Sequence, residues 1–127
     1  MCLVLEMMAT NLEDLLEAPG ELSWEEPLLR LSTDVARGMH HLHSHRFFDE
    51  ESETFKSCVL HRDIKPANIL ISPLFAAKIS DFGSSRSKPG TDVKLTSVGT
   101  PLYCAPEVAA GEACEYYRSV VVCFLFY

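Results

Sequence analysis

Four things are scarce in this sequence of 127 residues: basic charge, glycine, paired cysteines, and long apolar runs. Eleven Lys and Arg stand against 18 Asp and Glu, a net charge of −7. That is the wrong sign for gripping nucleic acid, which is held by neutralising its phosphates, so no nucleic-acid partner is expected. With 7 Pro and 6 Gly beside 47% apolar and 23% charged residues, a disordered or collagenous chain is excluded and a packed core is implied. The cysteines Cys2, Cys58, Cys104, Cys114 and Cys123 are odd in number and hold no C-x-x-C pair. Neither a disulfide framework nor a zinc ribbon is indicated, and buried free thiols in a reducing compartment are the plain expectation. No stretch reaches the roughly 18 apolar residues that cross a bilayer. Met1-Cys2-Leu3-Val4-Leu5 also lacks the basic start and cleavage site of a signal peptide, so a cytoplasmic chain without a membrane span is expected.

The length allows one domain or part of one. Both ends lie inside apolar runs, the last from Val120 to Tyr127, and read as cut. Leu3-Val4-Leu5 suits a short strand. Asn11 offers a helix cap with Asp14 three residues on; Leu12, Leu15 and Leu16 give one apolar face, and Pro19-Gly20 stops the helix. Ser23 and Glu26 form a capping box, after which Leu28, Leu31, Val35, Met39 and Leu42 recur at helical spacing, predicting a long helix over 23–44. Residues 45–60 break the pattern with Asp49-Glu50-Glu51-Ser52-Glu53, read as a solvated acidic loop. From Val59, short apolar runs (Val59-Leu60, Ile69-Leu70-Ile71, Ala76 to Ile79) alternate with polar clusters, predicting short strands that flank loops.

Chemistry concentrates in those loops. His61-Arg62-Asp63-Ile64-Lys65-Pro66-Ala67-Asn68 packs an acid, a base and an amide into eight residues, with a proline to hold the turn. Asp81-Phe82-Gly83 follows, adding a second carboxylate. Two carboxylates and an amide oxygen suit a hard divalent cation such as Mg2+. Lys65 suits a phosphate oxygen, and Asp63 can accept a hydroxyl proton. His40, His41, His43 and His45 gather where the long helix should end, with no carboxylate or thiol at ligand spacing, so a helix terminus is read there in preference to a metal site.

These motifs, with Gly99-Thr100-Pro101 and Ala105-Pro106-Glu107, resemble the eukaryotic protein kinase family, and Lys65 resembles its serine/threonine and tyrosine-kinase-like branches. The resemblance implies an α+β, kinase-like fold that is incomplete, with a hinge and a helical C-lobe core but no N-lobe or end of the C-lobe. It implies a hinge over 3–9, an insertion over 45–60, a catalytic loop over 61–68 and an activation segment over 81–107. It also implies ATP and Mg2+ as cofactors and Ser/Thr-bearing proteins as substrates. Asp63 then matches the catalytic base, Lys65 the γ-phosphate contact, Asn68 and Asp81 the metal ligands, and Arg62 the partner of a phosphorylated loop, with Thr96 or Ser97 as the phosphosite. Leu5 matches the gatekeeper, backbone groups of Glu6 and Met8 face adenine, and Leu70 floors the pocket.

The family's G-x-G-x-x-G loop and its V-A-I-K-like lysine are not present, so the ATP phosphates lack a lid and one clamp. Val120 stands where the family carries an anchoring aspartate, and Glu107 lacks its arginine partner. Three readings follow. The chain is the central piece of a serine/threonine kinase domain, or an inactive kinase-like module competing for a kinase's partner, or a chain that does not fold alone. The apolar C-terminus would need a protein partner under the second.

Overall fold

The computed structural model describes residues 2, 4–20, 22–50, 53–57, 59–87 and 100–103. Thr96, Ser97, Glu107, Val120, the run from Val120 to Tyr127 and four of the five cysteines lie outside the described residues. The elements are β1 (Thr10–Asn11), α1 (Leu12–Glu17), α2 (Leu28–Ser44), β2 (Arg46–Asp49), β3 (Thr54–Ser57), β4 (Val59–Leu60), β5 (Ile69–Ile71), β6 (Ala77–Ile79) and β7 (Arg86–Ser87). Single 3-10 turns lie at Pro66–Asn68, Phe82–Ser84 and Pro101–Tyr103. Among the described residues the result is a mixed α+β arrangement of two helices and small antiparallel sheets.

Asn11 ends β1 and caps α1, its Oδ1 accepting from the Asp14 N–H at 2.8 Å. This satisfies one of the helix's orphan donors, the local reason why α1 starts there. Ala18, held extended before Pro19, closes it.

In α2 the four-residue spacing of Leu31, Val35 and Met39 puts all three on one buried stripe, with Leu42 partly buried beyond them. The helix begins at Leu28, five residues later than the capping-box reading. Pro27 explains the shift, because a proline disfavours helical backbone at the residue before it, here Glu26. Ser23 Oγ accepts from Glu25 N at 3.3 Å, inside a turn that precedes the helix.

A three-stranded sheet, ordered β1-β5-β6 and antiparallel throughout, receives this stripe. Alternation along β5 buries Ile69 and Ile71 and leaves Leu70 on the opposite face. With Leu12, Ile64 and Ala77 these side chains form the core. Burial of each large aliphatic side chain contributes roughly 1.5–3 kcal/mol, which holds α2 to the sheet. Gly38 allows the close approach, since a Cβ there would lie 3.0 Å from Ile79 Cδ1. Asp34 Oδ2 accepts from the Ala77 N–H at 3.2 Å and pins β6 to the helix.

Three expectations are corrected. Residues 4–8 form no strand, and Val4, Leu5 and Met7 are largely exposed, because no described strand lies beside them to pair their backbone groups. The segment read as an acidic loop contains a hairpin, in which β2 and β3 pair Arg46 with Ser57 and Phe48 with Phe55. The acidic cluster hid the β-favouring Phe residues on either side of it, and Asp49 itself pairs with Thr54 at the end of the ladder. Cys2 is a free thiol but is exposed rather than buried, because it lies in the same unpaired leading segment. No described helix is long and apolar enough to cross a membrane, and no three described ligand-type side chains converge as a metal site would require.

Candidate active site

Two polar loops leave neighbouring strands and are laced together by backbone. The β5–β6 register pairs Ile69 with Ile79, so Asn68 and Ser80 face each other at the mouth of the hairpin. The Asn68 carbonyl accepts from Ser80 N at 2.9 Å and from Ser80 Oγ at 3.0 Å. Asp81 is the next residue along. β4 pairs with β7 on the far side, matching Leu60 with Arg86, and so brackets both loops.

His61 is the tether between them. It is 1% exposed, and its Nε2 donates to the Ser80 carbonyl at 2.8 Å while its Nδ1 accepts from Asp63 N at 3.4 Å. This network assigns the Nε2–H tautomer. The Phe82 ring packs edge-on against the imidazole, centroids 5.1 Å apart. The Ser85 hydroxyl donates to the His61 carbonyl at 3.4 Å.

Asp63 is bonded through both of its carboxylate oxygens. Its Oδ1 accepts from the Thr100 N–H at 3.0 Å and the Thr100 hydroxyl at 2.9 Å. Its Oδ2 lies 3.3 Å from Lys65 Nζ and 3.2 Å from Asn68 Nδ2, which also donates to the Asp63 carbonyl at 2.8 Å. Lys65 in turn donates to Thr100 Oγ1 at 3.0 Å. Burial pushes the Asp63 carboxyl up, but the Thr100 hydroxyl, the Lys65 hydrogen bond and charge, and the Thr100 N–H together outweigh it. Asp63 is held below its ordinary range and is ionised at neutral pH.

Asn68 is 7% exposed, and its side-chain bonds run through Nδ2, so Oδ1 remains an available donor atom toward a cation. Asp81 is exposed and left-handed at φ 60°, with Oδ1 accepting from Gly83 N at 3.3 Å. Arg62 is left-handed too, at φ 74°. Such backbone costs a non-glycine residue about 1–3 kcal/mol and here flanks the loops where the polar groups gather.

The expected adenine-side residues lie apart from this cluster. Glu6 is exposed and ion-paired with Lys78, which is the cross-strand neighbour of Leu70 in the β5–β6 ladder. Leu70 is partly buried on the sheet face opposite the core, and Met8 is partly buried just before Ala9, whose N–H donates to the Ile71 carbonyl at 2.9 Å. Among the described residues no hydrogen bond or ion pair links Glu6, Met8 or Leu70 to Asp63.

Sequence reading did not assign two participants, Thr100 and His61. Gly99-Thr100-Pro101 stood out only as a motif, and nothing local marks a contact across 37 positions of chain.

The model of the protein kinase domain matches residues 1–122, and the chain belongs to that family. A chain of Acanthamoeba polyphaga mimivirus that bears the name of a serine/threonine-protein kinase/receptor, R831, is 40% identical over 116 residues, 90% of this chain and 6% of its own. The LRR receptor-like serine/threonine-protein kinase IOS1 of Arabidopsis thaliana is 38% identical over 128 residues, 94% of this chain and 12% of its own. Mitogen-activated protein kinase kinase kinase 13 of Mus musculus is 33% identical over 112 residues, 87% of this chain and 10% of its own. The chain therefore spans only a small part of the length of these relatives, and it is a partial protein kinase domain homologous to serine/threonine kinases.

Proposed function

We propose that this chain carries the catalytic centre of a protein serine/threonine kinase and, within a longer domain, serves transfer of the ATP γ-phosphate to Ser or Thr hydroxyls of proteins. The observation that carries this reading is the ionised Asp63 carboxylate, held between Thr100, Lys65 and Asn68.

A carboxylate with a lowered pKa is a weak base, so its contribution is to accept a hydrogen bond from the attacking hydroxyl and aim it, taking the proton as that hydroxyl becomes acidic. Lys65 balances the Asp63 charge and presents an ammonium to the transferring phosphoryl group. The donor set of Asn68 Oδ1 and the Asp81 carboxylate is all oxygen and fits Mg2+. Bound there with ATP, the ion would neutralise phosphate charge. Residues 81–107 act as an activation segment in this reading, Arg62 as a phosphate partner, and Glu6, Met8 and Leu70 as the nucleotide side.

The test uses the protein at its full natural length with γ-labelled ATP, Mg2+ and myelin basic protein. Label on Ser and Thr that disappears with Asp63→Asn supports the reading. Label that survives Asp63→Asn, appears only on Tyr, or never appears overturns it.

A further inference from the structure

The hairpin of β2 and β3 leaves the core and ends just before β4 and the His61 loop. Phe48 and Phe55 are directly opposed across its strands, with ring centroids 5.3 Å apart in an edge-on arrangement. Both are outside the buried core, 53% and 74% exposed respectively. Such a pair buries far more apolar area when a partner covers it than it does in the free hairpin. Asp49 closes β2 opposite Thr54, and Glu50 and Glu53 flank the turn between the strands, in a chain whose net charge is already −7.

We propose that this hairpin is a docking surface for a basic segment of a partner protein, the exposed Phe48–Phe55 face receiving the side chains and the acidic tip the charge. Arginine and lysine satisfy both halves at once, because a cation is attracted to the face of an aromatic ring and to carboxylates. A second copy of this chain is disfavoured, since two acidic tips on two acidic chains repel. The surface lies outside the Asp63 cluster and does not depend on phosphotransfer.

The probe is a fluorescein-labelled synthetic peptide of alternating Arg and Leu, followed by anisotropy against the protein at full natural length, with a Glu-for-Arg peptide as control. Binding of the basic peptide alone, weakened about tenfold or more both in Phe48→Leu/Phe55→Leu and in Glu50→Lys/Glu53→Lys, is the expected result. Both variants lie outside the core, so the thermal melt should be unchanged. If one of them unfolds, high salt replaces it and should release the peptide. Absent binding, equal binding of the acidic peptide, or binding indifferent to the Phe pair overturns the proposal. Dimerisation that the Phe substitutions abolish also overturns it, in favour of self-association.

Discussion

Thr100 holds one oxygen of Asp63 with two donors, its N–H at 3.0 Å and its hydroxyl at 2.9 Å. That hydroxyl also accepts from Lys65, so a residue far along the chain fixes the spacing of the acid and the base. Both groups sit on a loop between β4 and β5 whose 3-10 turn begins at Lys65, the Lys65 carbonyl accepting from Asn68 N at 2.9 Å.

Replacing Thr100 separates its roles. Thr100→Ser keeps both donors and should retain activity, whereas Thr100→Val keeps the shape and loses the hydroxyl, lowering kcat about tenfold. Losing that donor moves the Asp63 pKa upward, toward its ordinary value. The acid limb of the pH–rate profile of Thr100→Val should therefore lie at higher pH than that of the parent protein.

Asp63→Asn should lower phosphotransfer roughly 10²–10⁴-fold, read with labelled ATP, because the amide can no longer accept the hydroxyl proton. Its effect on stability depends on pH in a defined sense. The folded-state pKa is lowered, so the carboxylate's contribution is present above the unfolded value and lost as pH falls through the folded one. The difference in melting temperature between parent and variant should be full at neutral pH and shrink only in acid, below the ordinary carboxylate range.

His61→Ala should destabilise by about 2–4 kcal/mol in urea unfolding. It empties a fully buried site and leaves the Ser80 carbonyl without its 2.8 Å donor. Activity should fall as well, since the two loops lose their tether.

Gly38 reports on the packing of α2 against β6. Gly38→Ala gains helix propensity and meets only the movable end of Ile79, so its stability should stay within about 1 kcal/mol of the parent. Gly38→Val adds branches at the same point and should cost roughly 2–3 kcal/mol, measured by the same unfolding curve.

What was legible in the sequence was local. The Asn11 cap with Asp14, the Leu31, Val35 and Met39 stripe and the short strands Ile69–Ile71 and Ala77–Ile79 rest on contacts within a few residues, and the structure contains each of them. The polar motifs carrying Asp63, Lys65, Asn68 and Asp81 were legible for the same reason, as residue types at short spacing. The boundary of α2 was legible only in part, because the capping pattern of Ser23 competes with the constraint of Pro27.

Tertiary structure decided the remainder. Pairing of β1 with β5 and of β4 with β7 joins segments far apart in the chain, and no local periodicity encodes such a register. The hairpin at Arg46–Ser57 depends on cross-strand pairing that an acidic tip conceals. The Thr100 contact and the His61 bond to Ser80 exist only once the chain has closed on itself. The sequence by itself thus determined which groups are available, their local turns and the apolar stripe that drives collapse. Collapse of that stripe onto the β1-β5-β6 sheet brought Asp63, Lys65, Asn68 and Thr100 within hydrogen-bond reach, because burial of Leu31, Ile69 and Ile71 leaves the loops between them little freedom.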